Sequence, residues 1–67
     1  MPGPEAHLAD GELWARVARL PQRERSAVVL KYVADLDHPT IAELLGTTPT
    51  MSRRLVSDGL KALRESA

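Results

Sequence analysis

The chain has 67 residues, with nine acidic and nine basic side chains, a net charge of zero and no cysteine. A chain of this length buries only about 60% of its unfolded surface, so it forms one small domain with little room for an enclosed active site. Without cysteine, disulfide scaffolds, thiolate zinc sites and thiol chemistry are excluded. Neither histidine lies in a metal-binding spacing, so we expect no metal, no cofactor and no catalytic residue.

The charges alternate along the chain. Residues 16–31 carry five basic side chains against one acidic, and residues 48–67 carry four against two. Residues 1–15 and 32–47 each carry three acidic side chains and no basic one. One face can therefore be positive although the sum is neutral, and a nucleic-acid partner is not excluded. No apolar run approaches the ~20 residues of a membrane span, and no signal peptide is recognisable, so we expect a cytoplasmic protein without membrane contact.

The N-terminal part combines a proline-rich start with a first helix. Residues 1–9 are expected to form a disordered lead or linker, and residues 10–67 the folded domain. Asp10 is the predicted N-cap of the first helix, whose apolar face combines Leu13, Val17 and Leu20. Pro21 ends this helix and suits the first position of the next.

The second helix is predicted over residues 22–34, which contain neither glycine nor proline. Apolar side chains lie on two of its sides: Ala27, Leu30 and Ala34 on one, Val29, Val33 and then Leu36 on the other. A strand is the competing interpretation of its β-branched run, but the charged flanks favour a helix. Because residues 28–30 are apolar on every side, we expect this helix to be the central one.

Capping residues define two further helices in the C-terminal half. Asp37 is the predicted N-cap of a third helix, with Pro39 in its first turn. Gly46 stops that helix in the left-handed conformation. Thr48 caps a fourth helix, with Pro49 at its first position. The sequence thus predicts an all-α fold, a small four-helix domain containing a helix-turn-helix.

The helix-turn-helix pattern lies in residues 40–55. Ala42 is the small residue where the two helices approach, and Gly46 tolerates the positive φ of the tight turn. Three apolar residues are spaced to pin the helices together: Ile41, Leu45 and Leu55. A plain helical corner with a merely solvated arginine pair is the competing interpretation.

The helix over residues 48–57 is the one expected to enter the major groove. Arg53 and Arg54 lie about 100° apart on it, so one is expected to read guanine O6 and N7 while the other holds a phosphate. Hydroxyls and amides at the helix N-terminus favour anions, and Ser57 follows Arg53 by one turn. The predicted DNA-binding residues are Thr48, Pro49, Thr50, Arg53, Arg54 and Ser57.

Four segments carry a resemblance to a known family: Leu-Pro-Gln-Arg-Glu-Arg at residues 20–25, Val-Leu-Lys-Tyr-Val at residues 29–33 followed by Leu36, Ile-Ala-Glu-Leu-Leu-Gly at residues 41–46, and the closing Leu-Lys-Ala-Leu-Arg at residues 60–64. With them, residues 13–64 resemble region four of bacterial sigma factors, particularly the extracytoplasmic-function type. The resemblance implies a four-helix domain that binds double-stranded promoter DNA at the minus-35 element. It also implies docking on the RNA polymerase β-subunit flap and masking by an anti-sigma protein. We expect the domain alone to be monomeric.

The chain departs from that family at four positions. Thr47 and Ser52 stand where the family usually has apolar core residues, and Asp58 where it often has a basic one. Two hypotheses account for Ser52: Met51 replaces it through a small helix rotation, or the Thr47 and Ser52 hydroxyls bond each other. Gly59 stands where alanine is common, so the fourth helix is expected to bend or end there.

Other functions remain open at this point. A sigma-like module that binds polymerase or a regulator without DNA contact is favoured by Asp58, Ser52 and the neutral charge. A LuxR-type regulator domain shares the four-helix outline. A MarR-type winged helix needs a β-hairpin, but a helical tail follows here. An enzyme is the least supported class, because no Ser/His/acid set, carboxylate pair or phosphate-binding loop stands out. Trp14 fits the core or a partner contact equally well, and His38 and Tyr32 are expected to be packing or surface residues.

Overall fold

The computed structural model describes residues 4–65, with the side chains of residues 11–65. Its elements are α1 (Pro4–Ala18), α2 (Gln22–Tyr32), α3 (His38–Leu45) and α4 (Pro49–Glu65). Residues 4–65 contain no strand, which confirms the predicted all-α class. None of the four helices combines the length and the hydropathy that a membrane span requires.

The start of α1 differs from the prediction. The helix begins at Pro4, so residues 4–9 are helical and not a disordered lead, and Asp10 lies inside the helix and is not its cap. Proline suits this first position because the N–H it lacks would have no partner there. Residues 1–3, the rest of that lead, lie outside the described residues. A domain boundary at residue 10 stays a prediction.

Pro21 separates α1 from α2, but as the N-cap and not as the first helical residue. Its φ of −52° and ψ of 146° are extended, and its carbonyl oxygen accepts from the Arg25 amide at 2.9 Å. The extended ψ is what turns the chain between the helices. α2 ends at Tyr32, two residues earlier than predicted, and Asp35 follows with a φ of 56°.

The two caps of α3 and the start of α4 are confirmed. Asp37 Oδ1 accepts from the Thr40 amide at 2.9 Å. Hydrogen bonding to the Thr40 side chain, and after it to this amide, holds the pKa of Asp37 below its ordinary value. Gly46 ends α3 with a φ of 67°. Thr48 Oγ1 accepts from the Met51 amide at 3.1 Å, directly before Pro49 opens α4. Side-chain oxygens thus satisfy amides that a helix start leaves unpaired.

The core consists of two apolar clusters that share α2. One joins α2, α3 and α4 through buried Ala27, Ile41 and Val56. The other joins the end of α1 to α2 through buried Val17, Leu20 and Val28, with Ala62 and Leu63 of α4 packed against it. α2 and α4 therefore both contribute to the two clusters, so the helix predicted to be central shares that position with α4. Leu13 and Val33, assigned to buried faces from the sequence, are 42% and 58% exposed.

Gly59 permits the close approach of α4 to α2. The residue is buried, and a Cβ built on it would lie 2.7 Å from Val28 Cγ2. The fourth helix was expected to bend or end at Gly59; α4 runs through this residue to Glu65, so the second alternative was wrong. The cost of glycine in a helix is accepted here because the neighbouring helix occupies the space of a side chain.

Candidate nucleic-acid interface

The six residues predicted to bind DNA all lie at the start of α4 or just before it, and all six are exposed. Those within the helix follow the spacing of one helical face, with Pro49, Arg53 and Ser57 four residues apart. The buried residues of α4 are Ser52, Val56 and Gly59, which lie four and three residues apart and so share another side of the helix. α4 therefore turns one face to the core and presents the predicted set to solvent.

The two arginines differ in their surroundings. Arg54 Nε lies 3.8 Å from Asp58 Oδ2, and both side chains are largely exposed, at 74% and 52%. Such a surface pair contributes little to stability, but it places a carboxylate beside one of the two cations. Arg53 has no ion pair within the described part of the chain. Arg53 is therefore the arginine whose guanidinium is free for an incoming acceptor.

The first turn of α4 has few amides left for an anion. Pro49 has no N–H, the Met51 amide donates to Thr48 Oγ1, and the Ser52 amide donates to the Thr48 carbonyl at 2.8 Å. The Thr50 amide remains as the N–H of this turn suited to a phosphate oxygen. Thr48 is thus used as a cap, and its hydroxyl proton is what it has left to donate.

Ser52 is the polar residue of the core, with no exposed surface. Its Oγ lies 2.9 Å from His38 Nδ1, which joins the fourth residue of α4 to the first residue of α3. Neither earlier hypothesis is correct: Met51 remains 38% exposed, and the partner of Ser52 is His38 and not Thr47. Sequence reasoning missed His38. A serine on an otherwise buried stripe was the available signal, because a buried hydroxyl requires a partner.

Two of the arginines of α1 and α2 have partners within the fold. Arg25 Nη1 donates to the Ala18 carbonyl at 3.2 Å and so fastens the C-terminus of α1 to α2. A cation is also electrostatically favourable at a helix C-terminus. In α1, Arg16 pairs with Glu12 at 2.8 Å. These two arginines act within the fold, whereas Arg23 is simply exposed.

A second exposed surface is apolar and lies outside the predicted DNA-binding set. An open apolar groove of about 290 Å³ runs between α1, α2 and α4. Four of its large side chains are between 42% and 60% exposed: Leu13, Trp14, Tyr32 and Val33. Trp14 therefore lies at this surface and not in the core. Within residues 11–65, no cluster of three or more potential metal ligands is present.

One comparison with known proteins gives a match. The family model described as sigma-70, region 4, matches residues 10–63 and so includes the turn, the start of α4 and every residue of the predicted set. Neither the curated proteins nor the solved structures give a significant match.

Proposed function

Because the chain belongs to the sigma-70 region 4 family, a non-enzymatic family of DNA-binding transcription domains, we propose that it recognises the minus-35 element of a promoter. The observation that carries this proposal is the division of α4 into a buried face and an exposed face that holds Arg53, Arg54 and Ser57. A helix seated in this way presents its first turns to a groove while its caps hold the turn in place.

The arginines receive separate roles. Arg53, which has no carboxylate partner in the described chain, donates to O6 and N7 of a guanine, a contact worth roughly 1–3 kcal/mol of discrimination. Arg54 exchanges Asp58 for a phosphate, and the Thr50 amide binds a second phosphate at the helix N-terminus. Because Asp58 opposes the phosphates, DNA affinity is modest. Because a cation contacts a phosphate, the affinity falls as the salt concentration rises. The domain then supplies position and affinity in the cytoplasm, not catalysis.

The direct test is an NMR titration of the labelled domain with minus-35 duplexes and with scrambled duplex, at low and moderate salt. We expect amide shifts confined to residues 48–57 and nearby basic residues, larger for the promoter and weaker at higher salt. Absence of shifts with every duplex, in a folded sample, would exclude promoter reading.

A double variant tests which face of α4 enters the major groove. Arg53→Ala with Arg54→Ala is expected to abolish specific binding and leave the helical fold intact, because both side chains are exposed. The matched control is Lys61→Ala with Arg64→Ala, which removes two exposed cations from the same helix outside the predicted set. Specific binding that survives in the folded Arg53/Arg54 variant, or that is lost equally in the control, would show that another face enters the groove.

A protein-binding role is the second candidate, favoured by the apolar groove around Trp14 and Tyr32. The proposed ligands are the RNA polymerase β-subunit flap and an anti-sigma protein, since an apolar surface with aromatic side chains suits a protein partner. Trp14 fluorescence reports this binding directly. A change on adding the flap, together with no amide shifts on adding DNA, would favour the interaction module, whereas a LuxR-type domain would dimerise without either ligand.

A further inference from the structure

We infer that the hydrogen bond between Ser52 and His38 sets the orientation of α4 on α3, which makes His38 a positioning residue for DNA recognition. The DNA part of this inference rests on the proposed function. The observation behind it is a fully buried serine, one residue before Arg53, whose side-chain partner comes from the far end of the preceding helix.

The bond attaches α4 to α3 at a second point. The first point is the turn after Leu45, where Gly46 leads the chain into α4. His38 opens α3 and Leu45 closes it, so the two ends lie roughly 10 Å apart at about 1.5 Å per residue. Two attachments separated by this distance restrain a rotation of α4 about its own axis more tightly than the turn alone does.

The apolar contacts of this corner do not supply the same restraint. Ile41 and Val56 are buried together, but hydrophobic contact has no preferred direction. The bond between Nδ1 and Oγ, at 2.9 Å, is directional, and a buried hydroxyl without a partner is costly. Loss of His38 therefore leaves Ser52 two alternatives: to turn back to the Thr48 carbonyl, or to move toward water by rotating α4.

A rotation of α4 acts directly on the predicted reading face. Ser52 and Arg53 are consecutive residues of one helical turn, so the Arg53 side chain moves with any rotation that relieves Ser52. A base contact needs both donors of a guanidinium in register with O6 and N7, so it is sensitive to such a movement. A phosphate contact by a long side chain is more tolerant. We therefore expect loss of His38 to reduce selectivity more than total DNA affinity.

The experiment compares His38→Leu with His38→Asn, which keeps a side-chain polar atom close to the position of Nδ1. For each variant, thermal melting defines a temperature at which the domain is folded. There, amide shifts of residues 47–53 and the ratio of promoter to scrambled affinity are measured. We expect His38→Leu to shift those amides and to lower the ratio roughly tenfold, and His38→Asn to restore both.

Ser52→Ala provides the second variant, because it removes the fully buried hydroxyl and leaves without a partner only the ring of His38, which is part-exposed. It is expected to fold and to show the same loss of selectivity, and combining it with His38→Leu should add no further loss, as for two residues that act through one contact. Wild-type amide shifts and selectivity in folded Ser52→Ala would overturn the inference, as would His38→Asn that behaves like His38→Leu. If the wild type binds no DNA, the proposed function fails. The amide shifts of the two single variants and of the double variant then still decide whether the bond sets the orientation of α4.

Discussion

Helices α1 and α3 both rest on α2 and α4, but they are held there in different ways. α3 buries Ile41 and Ala42, is capped at both ends and is tied to α4 by His38. Among the described side chains of α1, Val17 is the buried one, and its C-terminus is held by Arg25. The aromatic side chain of Trp14 stays at the surface.

The difference corresponds to two kinds of recognition. Reading base edges requires donors held in place by a rigid support, and the directional contacts of α3 give α4 that support. A protein partner instead gains from accessible apolar area, and α1 contributes Leu13 and Trp14 to such a surface. The α3–α4 corner therefore holds side chains in fixed positions, whereas α1 contributes accessible apolar area.

The largest expected effect tests whether the core under α3 contributes more stability than the core under α1. Ile41→Ala removes a side chain with no exposed surface and should lower the free energy of unfolding by about 2–5 kcal/mol, nearly the whole stability of a domain of this size. Val17→Ala is the matched change under α1 and should cost about 1–2 kcal/mol, at about 0.8 kcal/mol per buried methylene. Urea unfolding followed by circular dichroism measures both. A cost for Val17→Ala equal to that of Ile41→Ala would refute the comparison.

The second effect concerns the α2–α4 framework under both helices. Gly59→Ala should lower the free energy of unfolding by about 1–3 kcal/mol, because the added methyl group meets Val28 Cγ2 and a β-branched valine in a helix strongly prefers one χ1 rotamer. Helix propensity alone predicts the opposite sign. Combining it with Val28→Ala, which makes room for the methyl group, should recover part of the loss in a double-mutant cycle. Stabilisation by Gly59→Ala alone would show that the helices are not in close contact there.

The features that could be predicted from the sequence are those set by local chemistry. Asp37, Gly46 and Thr48 each act on backbone groups within a few residues, and each was assigned correctly. This is why the two helices and the turn of the helix-turn-helix were predicted correctly, and the exposure of the six residues at the start of α4 with them. Pro21 was assigned one position too far into α2, because a proline suits both the cap and the first turn.

The features that could not be predicted depend on residues distant in sequence. The partner of Ser52 lies 14 residues away, and the reason for Gly59 is Val28, on a different helix. Both positions looked like weaknesses of α4 because each side chain was judged without its neighbour. The exposure of Leu13 likewise depends on how α1 packs against the other helices, and periodicity within α1 does not define that packing.

The smallest expected effect tests the capping of α3 through pH. Hydrogen bonds from the Thr40 side chain and the Thr40 amide stabilise the Asp37 carboxylate, so the pKa of Asp37 is lower in the folded protein than in the unfolded chain. A depressed carboxyl pKa contributes stability above the unfolded value, and this contribution is lost as the pH falls through the folded value. The midpoint temperature of thermal unfolding should therefore decrease as the pH falls below the ordinary pKa range of carboxyl groups. Asp37→Asn keeps an oxygen that accepts from Thr40 and should weaken this pH dependence, while Asp35→Asn, a nearby change of equal charge outside the cap, should preserve it. An identical acid response in Asp37→Asn would show that the α3 cap is not what acid removes.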